Sequence, residues 1–142
     1  MVSLRLLGPF AAAAAVARPS PPPNSDCFMG PFMVFFDWND DRLTPSAGMI
    51  LDNLLATRDA CAREDRLTIQ GHSDRSGSNA YNLALSRLRA ERVRAYLAMR
   101  GVPAEAMSSV AHGERRPLVE TPDGAQEPQN RHVLITFSRS TW

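Results

Sequence analysis

An arginine, an amide and a carboxylate are spaced here as a recognition site would require. Residues Asn79 to Arg100 read as a long amphipathic helix. Stepped at about 100° per residue, Leu85, Val93 and Tyr96 gather on one side with Leu88 at the margin. Arg89 falls in the middle of that stripe, where a core helix should be apolar. A guanidinium keeps its proton in a protein, so a partly buried one needs an anionic or planar acceptor. Asn82 lies two turns earlier on nearly the same line, and the polar loop His72-Ser73-Asp74-Arg75-Ser76-Gly77-Ser78 lies just upstream. Asp74 can therefore sit at the mouth of the helix near Arg89 and Asn82. Carboxylate, amide and guanidinium converging on one spot suit a small zwitterion. A structural ion pair between Asp74 and Arg89 is the plainer alternative.

Other chemistries are poorly supported. His72, His112 and His132 lack the tight spacing of metal ligands, so no metal and no other cofactor is expected. Ser73 beside His72 does not make a nucleophile and base, because neighbours at a strand end point opposite ways. No catalytic residue is assigned, and an enzyme is not expected. Arg87, Glu91 and Arg94 fall on the opposite helix face and read as solvated surface.

The elements that must position these residues can be followed along the chain. Phe32 to Phe36 is a short aromatic run, expected to be a strand buried on both faces, with the polar loop Asp37 to Asp41 at its end. Thr44-Pro45 opens a helix as N-cap and first helical residue. Leu67 to Gly71 is a second strand, and the Arg89 helix follows, stopping at Gly101 with Pro103 beyond. Ser108 to Ala111 is a weak third strand, and Val133, Ile135 and Phe137 alternate in a last one. The order β-α-β-α-β-loop-β implies an α+β fold, a small mixed sheet carrying two main helices. The loop from His112 to Arg131 is long enough to carry function.

At 142 residues the chain holds one real core. A net charge of +1 and 7% aromatic residues speak against nucleic acid. No apolar run reaches the roughly 18 residues of a spanning helix, so no transmembrane span is expected in the mature chain. Residues 1–17 pair Arg5 with an apolar, then alanine-rich stretch, as a secretory signal peptide does; a disordered alanine-rich tail is the alternative. Residues 18–26 contain Pro21-Pro22-Pro23 and read as a stiff linker. The domain is placed at 27–142. Cys27 and Cys61 are a candidate disulfide in an exported chain, with two buried thiols as the alternative. Asn24-Ser25-Asp26 before Cys27 is unlike a lipoprotein signal.

The run Gly71-His72-Ser73-Asp74-x-x-Gly77, followed by Asn82-x-x-Leu85-Ser86-x-x-Arg89-Ala90-x-x-Val93, resembles the OmpA-like peptidoglycan-binding domain. Phe35-Phe36-Asp37, Gly101-Val102, Gly113-Glu114-x-x-Pro117 and Asn130-Arg131-x-Val133 extend the resemblance over about Met33 to Phe137. It implies non-covalent binding of the wall's stem peptide through diaminopimelate, which ends in an ammonium and a carboxylate on one carbon. By resemblance, Arg89 takes the carboxylate, Asp74 the ammonium, and Asn82 orients the ligand. Asp37 and Asn39 line the same pocket, Gly77 belongs to its loop, and Leu85 to its helix motif. His132, Leu134 and Ala111 depart from the family pattern, so no site role is expected of the last strand.

The implied protein is an anchor in the periplasm of a Gram-negative bacterium, associated with the outer membrane or cell wall. Its partners would be peptidoglycan and an envelope protein. The alternative is an envelope protein-protein interaction module with the same fold and no wall binding.

Overall fold

The structure, a computed structural model, describes residues 29–61 and 66–138. The expected signal peptide, the linker and Cys27 lie outside the described residues, and so does any test of the Cys27–Cys61 pairing. Cys61 itself is buried at the end of the first helix.

The elements are β1 (Phe32–Phe35), α1 (Pro45–Cys61), β2 (Arg66–Gly71), α2 (Asn79–Met99), β3 (Met107–Ala111) and β4 (His132–Ser138). Single 3₁₀ turns at Ala104–Ala106 and Pro128–Asn130 precede the last two strands. The sheet order is β1-β4-β2-β3. β2 and β3 are parallel, whereas β4 runs antiparallel to both β1 and β2. This is the expected α+β sheet with two helices on it. α1 packs on β1, α2 packs on β2, β3 and β4, and the helices touch each other.

Local chemistry explains where the helices start and stop. Thr44 Oγ1 accepts the Ala47 N–H at 3.1 Å, and Pro45 fills the first helical position. Ser78 caps α2 by accepting the Tyr81 N–H at 3.2 Å. Gly101, at φ 99°, turns the chain out of α2, a conformation that side chains other than glycine rarely adopt. The core joins Val34, Phe36, Leu67, Ile69, Val133 and Ile135 of the sheet side to Ala47, Leu51, Leu54, Ala90, Val93 and Leu97 of the helices. Along β2, Leu67 and Ile69 are buried, while Thr68 and Gln70 between them are only half-buried. One face of the sheet therefore carries the core, as period-2 patterning requires.

Two expectations are corrected. β1 is not buried on both faces. β4, last in sequence, inserts beside it and leaves it a four-residue edge strand with Phe35 43% exposed. The buried stripe of α2 is also rotated from the one expected. It runs Asn82, Ser86, Arg89, Ala90, Val93, Leu97, while Leu85 and Tyr96 are half-buried and Leu88 is 46% exposed. Polar residues occupy the seam because β2 comes very close there. A Cβ on Gly71 would overlap the Ser86 carbonyl. Ser86 satisfies its hydroxyl locally, donating to Leu83 O at 2.8 Å and accepting the Gly113 N–H at 2.9 Å.

Candidate functional site

Three loops converge at the carboxyl ends of β1 and β2 and at the start of α2. Arg89 reaches them from the middle of α2 and is fully buried. Its Nε donates to Asp40 O at 2.9 Å, Nη1 to His72 O at 3.1 Å and Nη2 to Asp37 O at 3.1 Å. The guanidinium also lies 5.3 Å from the centre of the Phe36 ring. It thus braces the Asp37–Asp40 turn from beneath, and this turn contains Asn39 at φ 53°. Burial pushes the Arg89 pKa down to about 10, with the Asp74 carboxylate opposing that shift, so the side chain is charged at neutral pH.

Asp74 is 3% exposed and is not bonded to Arg89. Its Oδ2 is 3.3 Å from Arg131 Nη1 and accepts the Glu127 N–H at 3.3 Å, and its Oδ1 accepts the Ser76 hydroxyl at 2.5 Å. Burial alone would raise the Asp74 pKa, but the hydrogen bonds from Ser76, Arg131 and Glu127 outweigh it and hold the carboxyl below its ordinary range. The alternative of an Asp74–Arg89 ion pair is therefore not what forms. The two charges are near enough to influence each other, yet each is held by other groups.

Asn82 is 1% exposed and spends its amide on the loop, with Nδ2 donating to Gly77 O at 3.0 Å. Gly77 is needed for this approach, since a Cβ there would lie 2.9 Å from Asn82 Oδ1. Asp37 and Asn39 are exposed at the rim, and Leu85 is half-buried on the flank of α2. Trp38, 52% exposed, sits at the same rim, its indole N–H donating to Ser76 Oγ at 3.1 Å. The structure thus gathers Asp74, Arg89, Asn82, Gly77, Asp37 and Asn39 around one loop cluster. Arg89 and Asn82 lie beneath the loops instead of opening onto a pocket floor.

Arg131 escaped the sequence reading as a site residue. The Asn130-Arg131 pair is its sequence signal, and the departures at His132 and Leu134 lie directly after it. Asn130 is fully buried and clamps the long loop by bonding both the N–H and the carbonyl of Val119, at 2.9 and 2.8 Å. That anchor delivers Arg131, whose Nε donates to Phe36 O at 3.0 Å, onto Asp74.

The three histidines, far apart in sequence, stack in a column. His72 lies 4.2 Å from His132 and 5.0 Å from His112 between ring centres. His112 Nε2 is bonded to Gln70 Oε1 and His132 Nδ1 to Gln129 O, both at 3.0 Å. Stacked rings do not aim their nitrogens at a common point, which is unlike metal coordination. Burial, with His132 and His112 adding to it, drives the His72 pKa down to about 3. Burial also lowers His112, helped by Arg116, and lowers His132, helped by Arg89.

A histidine whose folded pKa is depressed stabilises the fold above its unfolded value. That stability drains as pH falls below about 6.5, because only the unfolded chain then takes the proton. Between pH 7.5 and 5.5, His72 alone should cost the fold about 1.4 kcal/mol. Urea unfolding at the two pH values measures this, and His72→Phe, which keeps a ring in the column, should flatten the dependence. Equal stability at both values would contradict the assignment.

This small α+β domain thus sets opposed, buried charges at the ends of its strands. A model described as the OmpA family matches residues 35–131, and the chain belongs to that family. It is 36% identical over 110 residues to an outer membrane protein of Gluconacetobacter diazotrophicus, an alignment spanning 73% of this chain and 29% of that protein. It is 33% identical over 101 residues to the peptidoglycan-associated lipoprotein of Pseudomonas putida, spanning 71% of this chain and 60% of that one. The chain thus spans less than two thirds of the length of these relatives. The crystal structure of the peptidoglycan-associated lipoprotein from Burkholderia pseudomallei superposes with a TM-score of 0.68 at 29% identity, covering 75% of this chain and 90% of that one.

Proposed function

We propose that this domain binds peptidoglycan non-covalently, through the diaminopimelate of the stem peptide, and so anchors an envelope component to the wall. Relatives named as peptidoglycan-associated lipoproteins support the coarser part of this reading. One observation carries the finer part. Arg89 and Asp74 are held close, buried and oppositely charged, yet unbonded to each other. A ligand with ammonium and carboxylate on one carbon can bridge such a pair. The ammonium competes with Arg131 for Asp74. The carboxylate takes the two N–H groups of Arg89 left over by its three backbone carbonyls, and because Arg89 is fully buried this requires the Asp37–Asp40 turn above it to shift on binding. Asp37, Asn39 and Trp38 form the rim, while Asn82 and Gly77 hold the loop in shape.

The location that fits is the periplasmic side of a Gram-negative envelope, at the outer membrane or wall. Among the described residues no helix is long and apolar enough to cross a membrane. Binding without cleavage is the expected mode. The protein should co-sediment with purified sacculi and leave their turbidity and muropeptide profile unchanged. Release of soluble muropeptides by pure protein would overturn the non-enzymatic reading. Failure to co-sediment, together with capture of an envelope protein, would favour the interaction module instead.

A further inference from the structure

We propose that the free edge of β3 pairs with the β3 edge of a second copy of this chain, antiparallel about a two-fold axis at Ser109, and joins the two sheets into one. The sheet order leaves β1 and β3 as edges. β1 is four residues long and follows Pro31, which has no N–H to offer. β3 carries none of the devices that keep sheet edges apart. Met107-Ser108-Ser109-Val110-Ala111 holds no charge and no proline, and its register on β2 runs without a bulge from Leu67–Met107 to Gly71–Ala111. Ser108, Ser109 and Val110 are all exposed, Val110 by 43%.

The backbone groups needed for pairing are unspent. The His112 N–H donates to Gly71 O at 3.0 Å, and alternate residues of a strand turn their groups to the same side. His112, Val110 and Ser108 therefore face β2, whereas Met107, Ser109 and Ala111 turn theirs to the open edge. Among these the Met107 N–H is occupied, donating to Ala104 O. With Ser109 set opposite Ser109 of the second copy, the two residues exchange both of their N–H···O bonds. Each Ala111 N–H then meets the Met107 carbonyl across the axis.

Charge selects a second copy and the antiparallel direction. Glu105 stands just before β3 and Arg116 beyond its end, both exposed, and neither makes an ion pair among the described residues. A turn in which the Arg115 N–H donates to His112 O at 3.2 Å folds the chain back at the end of the strand. Arg116 stays near enough to His112 to add to the lowering of its pKa by burial. An antiparallel two-fold brings Glu105 of each copy to the Arg116 end of the other, so the edge is self-complementary and both unpaired charges find partners. A parallel pairing would set Glu105 against Glu105 and Arg116 against Arg116. The axis also points the loop clusters at the carboxyl ends of the two β2 strands in opposite directions. On the wall-binding reading above, such a pair holds two stem peptides at once, whereas the pairing itself does not depend on that reading.

Sedimentation velocity of the full chain, from about 10 µM to about 1 mM, tests the pairing. A strand-edge contact is small, so reversible association within that range is expected. Ser109→Lys sets two ammonium groups against each other on the axis and should weaken association at least about tenfold. Its circular dichroism and urea unfolding should match the parent, because Ser109 is exposed. Glu105→Arg and Arg116→Glu should each weaken association about threefold or more. The two together should return it to the parent range, since the exchanged charges again face each other. A parent that stays monomeric throughout overturns the proposal. So does a folded Ser109→Lys protein that associates like the parent, or a double variant no better than the single ones.

Discussion

Replacing Arg89 by alanine is expected to cost roughly 3–5 kcal/mol of folding stability and to abolish wall binding. Both effects follow from one arrangement. The guanidinium is fully buried and satisfies the carbonyls of Asp37, His72 and Asp40, which belong to two different loops. Alanine strands the His72 and Asp40 carbonyls, each typically costing about 1–3 kcal/mol before water enters, and leaves Asp37 O with only the Asp40 N–H at 3.3 Å. It also releases the turn that carries Trp38 and Asn39. Arg89→Lys should recover part of the stability but not the binding, because a point charge cannot span three carbonyls and still meet a planar carboxylate. Arg87→Ala, on the exposed face of α2, should match the parent in both respects. Urea unfolding reads the first effect and sacculus co-sedimentation the second. A folded Arg89→Ala protein that binds sacculi like the parent would remove Arg89 from the site.

Asp74→Asn separates charge from shape. Asparagine keeps the shape but can accept from only one of the two backbone N–H groups that Asp74 holds, Ser76 through Oδ1 or Glu127 through Oδ2, so circular dichroism must first show that the variant is folded. The Arg131 guanidinium, only 12% exposed, loses its carboxylate, and a ligand ammonium loses its counter-charge. Truncating one partner of a buried, hydrogen-bonded charge pair commonly costs about 2–5 kcal/mol in binding. Sacculus affinity should therefore fall at least about tenfold. Because Asp74 is held below the usual carboxylate range, the parent should keep its binding at pH 5, well above that range. Full affinity of folded Asp74→Asn would contradict the ammonium role.

Much of this arrangement was legible in local sequence chemistry. Thr44-Pro45 marks the start of α1 because capping is a matter of adjacent residues, and Gly101 with Pro103 marks the end of α2 for the same reason. The strand segments were visible in runs of apolar residues. Asp74, Arg89 and Asn82 stood out because a charged residue in an apolar stripe asks for an explanation.

The rest depends on contacts that no local window contains. The insertion of β4 between β1 and β2 pairs Phe35 with His132, nearly a hundred residues apart, and turns an apparently central strand into an edge. The buried row of α2 passes through Asn82 and Ser86 because Gly71 lets β2 come close, which hydrophobic periodicity cannot register. Arg131 meets Asp74 across 57 positions of sequence. The histidine column joins the ends of β2, β3 and β4 and exists only once the sheet has formed.

The central claim is recognition of a zwitterionic diaminopimelate end, and calorimetric titration with two matched soluble wall fragments tests it most directly. One fragment carries diaminopimelate, and the other carries lysine in its place, which keeps the ammonium and deletes the neighbouring carboxylate. Saturable binding of the first, weakened at least about tenfold for the second, is the predicted result. Equal affinity for both fragments, or no binding of the diaminopimelate fragment, would contradict the account.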